Sequence, residues 1–215
     1  MMLKNRKYLD ILLGLLMYFL LLPEFILFIT VGTENILKSL VGVAAFFVLS
    51  ISLYTVVPLL VERRFPIESH KESNIKSRCW AIAIAVTFII LKMVIQKQET
   101  PKYISEFSNF ISASGVIGVI GATLQHLYYF AEMVLCSYVL RVFQKAGENL
   151  FGNKYVPYGG IVLGVLWGLI VHTISKDISV GLYMLVLSIV WGMIYLVSGR
   201  KRWLTYILMT VMFIT

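Results

Sequence analysis

Charged residues are scarce in this chain. Asp, Glu, Lys and Arg make up 14% of its 215 residues while 59% are hydrophobic, and the mean hydropathy is +0.85. An ordinary soluble domain is about a quarter charged and nearer half apolar, so this scarcity excludes one and points to a lipid bilayer as the partner. Acidic residues are rarer than basic ones, 11 against 19, for a formal net charge of +8. The basic residues fall in short clusters between apolar runs, not along a solvated face. That pattern excludes a nucleic-acid partner and fits the orienting role of positive charge in membrane proteins. Cysteine is nearly absent: Cys79 and Cys136 are too far apart to read as a disulfide or metal framework, and both are expected as reduced thiols. There is no His-Glu-x-x-His, no phosphate loop, no dinucleotide fingerprint, no internal repeat and no low-complexity linker. No cofactor and no metal are expected. The one pair of ligand types at helical i, i+4 spacing, Glu132 and Cys136, lacks the two further protein ligands of a zinc site.

What the sequence has in abundance is apolar runs. A helix needs roughly 20 apolar residues to cross the ~30 Å hydrocarbon core, and residues 9–30, 37–61, 79–95, 156–174 and 180–197 supply them. The stretch 104–143 is too long for one crossing. Its small-residue part, 112–121, predicts an embedded or packed segment, followed by a span over about 121–143. Residues 203–215 are too few to span comfortably and are expected as a half-embedded terminal helix, with Trp203 anchoring the interface beside Arg200, Lys201 and Arg202. The expected fold class is an all-α, polytopic membrane bundle of about six to seven transmembrane helices. It divides into N-terminal helices over 1–103, with a mixed-charge cytosolic loop at 62–78, and a C-terminal helical core over 104–215.

Charge orients this map. A cytosolic amino terminus puts 14 of the 19 basic residues inside, in the clusters 4–7, 63–78, 141–154 and 200–202. Five stay outside: Lys38, Lys92, Lys97, Lys102 and Lys176. The bias predicts a multi-pass plasma-membrane protein with its amino terminus in the cytosol. The first span is too long for a signal peptide, carries Pro23-Glu24 and has no small-residue exit site, so it reads as an uncleaved anchor.

Ionisable groups at membrane depth are costly and face a bundle interior or a water-filled cavity. Four qualify: Glu24, His126, Glu132 and His172. With ~1.5 Å of rise per helical residue, Glu132 lies roughly 14–20 Å above the cytosolic face, His172 about 22 Å and His126 about 22–28 Å. The three share a depth at which they can meet. A carboxyl in a low-dielectric site is suited to take a proton from water near neutral pH, and an imidazole can orient that water or donate to the oxyanion that forms as a carbonyl is attacked. Glu24 lies near the outer interface, where a structural role is expected. Gly159, Gly160, Gly164 and Gly168 form a small-residue stripe, read as a helix-packing face.

The C-terminal half carries three recognisable stretches: Phe130-Ala-Glu132-Met-Val-Leu-Cys136, Gly159 through Trp167-Gly-Leu-Ile-Val-His172, and Val180 through Trp191 to Gly199. Over about 90 residues these resemble the CAAX prenyl proteases and bacteriocin-processing enzymes, which are glutamate-dependent intramembrane endopeptidases. The resemblance implies that Glu132 stands for the second glutamate of a Glu-Glu-x-x-x-Arg helix and His172 for the histidine of a Phe-x-x-x-His helix. Ala131 occupies the first glutamate's place and Cys136 the arginine's, Trp167 lies five rather than four residues before His172, and the family's last-helix histidine and amide fall near Leu208 and Met212. Three functions follow as expectations. The first is a variant endopeptidase acting on a membrane-associated peptide, with Glu132 activating water, His172 assisting at the oxyanion and His126 replacing a missing partner. The second is an inactive relative that binds a peptide or a membrane protein, as in bacteriocin self-immunity. The third is a small-molecule transporter subunit.

Overall fold

The computed structural model describes residues 2–21, 40–67, 74–97 and 100–215, with side chains apart from those of 2–7, 40–46 and 113–114. Glu24 lies outside the described residues, as do all of 22–39. Every regular element described is helical. In chain order they are α1 (Met2–Phe19), α2 (Leu40–Arg64), α3 (Ile75–Ile95), α4 (Lys102–Ser114), α5 (Val116–Phe151), α6 (Tyr158–Ser175), α7 (Ile178–Val197) and α8 (Arg202–Ile214). Three of them, α3, α6 and α7, are long and apolar enough to cross a membrane by length and composition. α5 is longer, 36 residues, or about 54 Å; Gln125, His126, Glu132, Arg141 and Gln144 dilute its apolar character.

Local chemistry sets the boundaries. The side chain of Asn74 accepts the Ser77 N–H at 2.8 Å and caps α3, and Asp177 accepts the Val180 N–H at 3.0 Å and caps α7, each satisfying an orphan donor of the first turn. Pro157 precedes α6. The long apolar stretch breaks at Gly115, whose φ of +58° favours glycine. There α4 folds back antiparallel on α5, with Tyr129 donating to Glu106 at 3.0 Å and Phe107 beside His126. The helix that contains the expected span at 121–143 therefore begins earlier and ends later, at Val116 and Phe151.

α5 is the axis of the bundle: α1, α2, α4, α6 and α8 all pack on it, and α7 packs on α3, α6 and α8. The glycine stripe is where α6 meets its neighbours. A Cβ on Gly159 would lie 1.9 Å from the Leu140 carbonyl oxygen, and one on Gly160 would lie 2.5 Å from that of Ser188. Because the obstacle is backbone, Gly159→Ala must push α6 away from α5. We expect it to cost about 1–3 kcal/mol, read as a lower unfolding midpoint in detergent; an unchanged midpoint would show that the contact is dispensable.

One end of the bundle is held by ion pairs. Arg141, 5% exposed, donates to both oxygens of Glu62 at 2.6 and 3.1 Å, and Arg202 reaches Glu62 at 2.9 Å. Arg200 makes a two-pronged pair with Glu148, and Lys145 lies 3.7 Å from Asp10. The loop expected at 62–78 has narrower bounds: α2 runs to Arg64, α3 starts at Ile75, and Glu62 is tied into the bundle. Burial on its own pushes the Glu62 carboxyl up, but hydrogen bonds and charge from Arg141 and Arg202 outweigh it and hold the group below the ordinary carboxylate range. A depressed folded-state pKa contributes stability that is complete above the unfolded value, near 4.3, and lost as pH falls through the folded one. Melting temperature should therefore hold from neutral pH to about 5 and drop below about 4. The acid limb should shrink in Glu62→Gln; an identical limb in that variant would assign it to other carboxylates.

Candidate functional site

Nine residues before Arg141 on α5, about 14 Å along the axis, Glu132 opens onto a cavity of about 290 Å³ between α4, α5, α6 and α8. Glu132 is 6% exposed. Its carboxylate makes no hydrogen bond or ion pair among the described residues. His172 of α6 lines the same cavity, with Gln125, Tyr128 and Tyr129 of α5, Trp167 and Lys176 on α6 and its C-terminal side, and Lys102 of α4. Two of the three predicted site residues, forty positions apart in sequence, are therefore brought together.

The imidazole of His172 is oriented by its own helix. Its Nδ1 lies 2.8 Å from the carbonyl oxygen of Trp167; a carbonyl only accepts, so Nδ1 carries the proton, and Nε2 of the neutral ring is an acceptor. The Trp167 ring meets it edge-on, centroids 4.6 Å apart at 81°. This contact depends on a local change of helix type. Gly164–Val171 is π-helical, with i→i+5 hydrogen bonding in place of i→i+4, so residues five apart stack one turn above each other. The five-residue spacing of Trp167 and His172 is thereby absorbed.

His126 is not brought to the cavity. Its Nδ1–H donates to the Ala122 carbonyl at 2.7 Å, its ring packs against Phe107 and Tyr129, and its buried Nε2 has no partner among the described residues. Helix geometry gives the reason: six residues on one helix turn through about 600°, which sets His126 roughly 120° away from Glu132 despite the similar depth.

Two cations that the sequence reading left as topology markers stand at the site. The Lys102 ammonium lies 4.4 Å from the ring centroids of both Tyr129 and Phe213 and 3.8 Å from Glu106. Burial holds it below the usual lysine range, Glu106 opposes that shift, Lys176 adds to it and Glu132 opposes it. The signal was available, since Lys102 and Lys176 belong to the five basic residues assigned to the outer side. Ala131, Cys136, Leu208 and Met212 are buried. Among the described residues no three His, Cys, Asp or Glu side chains gather as a metal site would require. Comparison with known protein families, curated proteins and solved structures finds no match to this chain.

Proposed function

We propose that this protein is a variant glutamate-dependent intramembrane endopeptidase, similar to the CAAX protease and bacteriocin-processing enzymes, acting on a membrane-associated peptide. The observation that carries this reading is the Glu132 carboxylate, without a hydrogen bond or close ion pair among the described residues, sharing one cavity with an oriented His172. Glu132 takes a proton from a water that also donates to Nε2 of His172. The resulting hydroxide attacks the peptide carbonyl carbon, forming a tetrahedral oxyanion. With Nδ1–H committed to Trp167, the neutral His172 has no proton to offer that oxyanion; the ammonium groups of Lys102 and Lys176 are the donors on the cavity wall. Collapse breaks the C–N bond, and the proton held by Glu132 passes to the leaving amine.

The same reading places the protein in the plasma membrane as a bundle of six to seven crossings with its amino terminus cytosolic. Support comes from the gathering of Arg141, Lys145, Arg200 and Arg202 at one end while Lys92, Lys102 and Lys176 line cavities further along the bundle. The test is cleavage of a membrane-anchored peptide by the protein reconstituted in vesicles, with Glu132→Gln as the comparison; cleavage that persists in the variant overturns the reading.

A second reading, peptide binding without cleavage as in self-immunity, is favoured by one observation. Ala131, Cys136 and Met212, which stand where the resemblance implies a glutamate, an arginine and an amide, are packed in the core. In that case the wild-type protein retains the peptide without cutting it, and Glu132→Ala leaves retention unchanged.

A further inference from the structure

A second cavity, of about 360 Å³, adjoins the first and shares Lys102, His172, Lys176 and Phe213 with it. Lys92 of α3, Gln96 just beyond it and Ser105 of α4 add to its polar wall, and Val180, Tyr183 and Met184 form its apolar one. Three ammonium groups on three different segments therefore face one space, and no carboxylate lines it. Three acids lie nearby without lining it: Glu106 is 3.8 Å from Lys102, Glu132 faces the adjoining cavity and attracts Lys102 and Lys176 from there, and Asp177, beside Lys176, accepts from the Ser179 hydroxyl and the Val180 N–H. Lys92 and Lys176 have no ion-pair partner among the described residues. Lys92 is 8% exposed, and its charge is stabilised by the ring of Tyr183, 5.9 Å away, and at longer range by Glu106. A buried cation without a counter-ion at contact distance is costly; Lys92 is in that position, and Lys102 and Lys176 line the same space, so the arrangement suits an anion from outside the chain.

We infer that this cavity binds a phosphate group, that of a glycerophospholipid headgroup at the membrane boundary. Phosphate suits the walls, because its several oxygens can each accept a charge-assisted hydrogen bond from a separate ammonium group. The location favours lipid as the source. Lys92 lies in the last turn of an apolar helix whose Leu91, Val94 and Ile95 are exposed, and Lys176 directly follows α6. Both therefore stand at the ends of helices long enough to cross a bilayer, where headgroups lie, and the Val180, Tyr183 and Met184 side receives the glycerol and first acyl carbons. The site goes beyond the peptidase reading and does not depend on it, since it requires no chemistry at Glu132.

The test is thermal protection of the detergent-purified full chain by three probes: short-chain phosphatidylglycerol, the diacylglycerol of the same chain length, and inorganic phosphate. Phosphatidylglycerol is expected to raise the melting temperature by several degrees and diacylglycerol to leave it unchanged. Inorganic phosphate should protect only at much higher concentration; protection at equal concentration would make free phosphate the source and keep the phosphate site. Each interfacial lysine contributes about fivefold to anionic lipid affinity. The Lys92→Gln/Lys176→Gln variant should therefore need at least about tenfold more lipid for half-maximal protection. If that variant does not fold, Lys176→Gln, altering an exposed side chain, should still show a shift of about fivefold. Equal protection by diacylglycerol, no protection by any probe, or an unshifted response in the variants overturns the site. Peptide cleavage enters none of these readouts, so failure here and failure of the peptidase reading are separable.

Discussion

Glu132→Gln is expected to lower kcat/KM for a membrane-anchored peptide by about 10²–10⁴-fold, the contribution a positioned general base makes. The substitution is nearly isosteric and removes a carboxylate that makes no hydrogen bond or close ion pair among the described residues, so the melting temperature should change little. That pairing of effects separates chemistry from stability. A structural carboxylate would show the reverse, with modest loss of activity and a clear loss of fold. Because the amide cannot take a proton from water, the loss should appear in kcat more than in KM. Retained cleavage in Glu132→Gln would remove the peptidase reading, whatever happened to peptide binding.

The largest expected change in stability lies at the other end of the bundle. Glu62→Ala leaves Arg141, 5% exposed, and Arg202 facing one another with no carboxylate between them. Removing one member of a buried ion pair costs about 3–5 kcal/mol, most of it the penalty of the charge left behind. The origin of the loss can be checked directly, because replacing the stranded cation as well, in Glu62→Leu/Arg141→Met, should recover much of it. Equilibrium unfolding of the two single variants and the double variant in detergent measures the coupling. Strict additivity would mean that the contacts at 2.6 and 3.1 Å contribute nothing as a pair.

Much of the fold was legible because membrane-length apolar runs are a coarse and strong signal. Residues 79–95, 156–174 and 180–197 correspond to Ile75–Ile95, Tyr158–Ser175 and Ile178–Val197, with boundaries moved by caps such as Asn74 and Asp177 that extend a helix past its apolar core. The 104–143 stretch was harder, since hydropathy is blind to direction. It registers an apolar run through Gly115 but not the reversal made there. At the site, depth alone joined Glu132, His126 and His172. Azimuth then separates them, and azimuth follows from spacing: His126 and Glu132 are on one helix, so their divergence could have been calculated from sequence. The meeting of Glu132 with His172, Lys102 and Lys176 could not, because it depends on how α4, α5 and α6 pack. Glu62 reads as the first residue of a loop since its partners, Arg141 and Arg202, lie 79 and 140 positions further along the chain.

The wide turn in α6 has a meaning beyond the contact it permits. An α-helix advances about 100° per residue, so one surplus residue within an otherwise α-helical segment rotates everything downstream by about that angle. His172, Ser175 and Lys176 all follow the surplus, and all three line the cavity. The segment therefore behaves as a phase shifter. It lets Gly159 and Gly160 before it stay locked against α5 and α7 while the residues after it are dialled independently toward Glu132. Packing and chemistry, which a uniform helix would force onto one fixed azimuth, are uncoupled here by a single added residue.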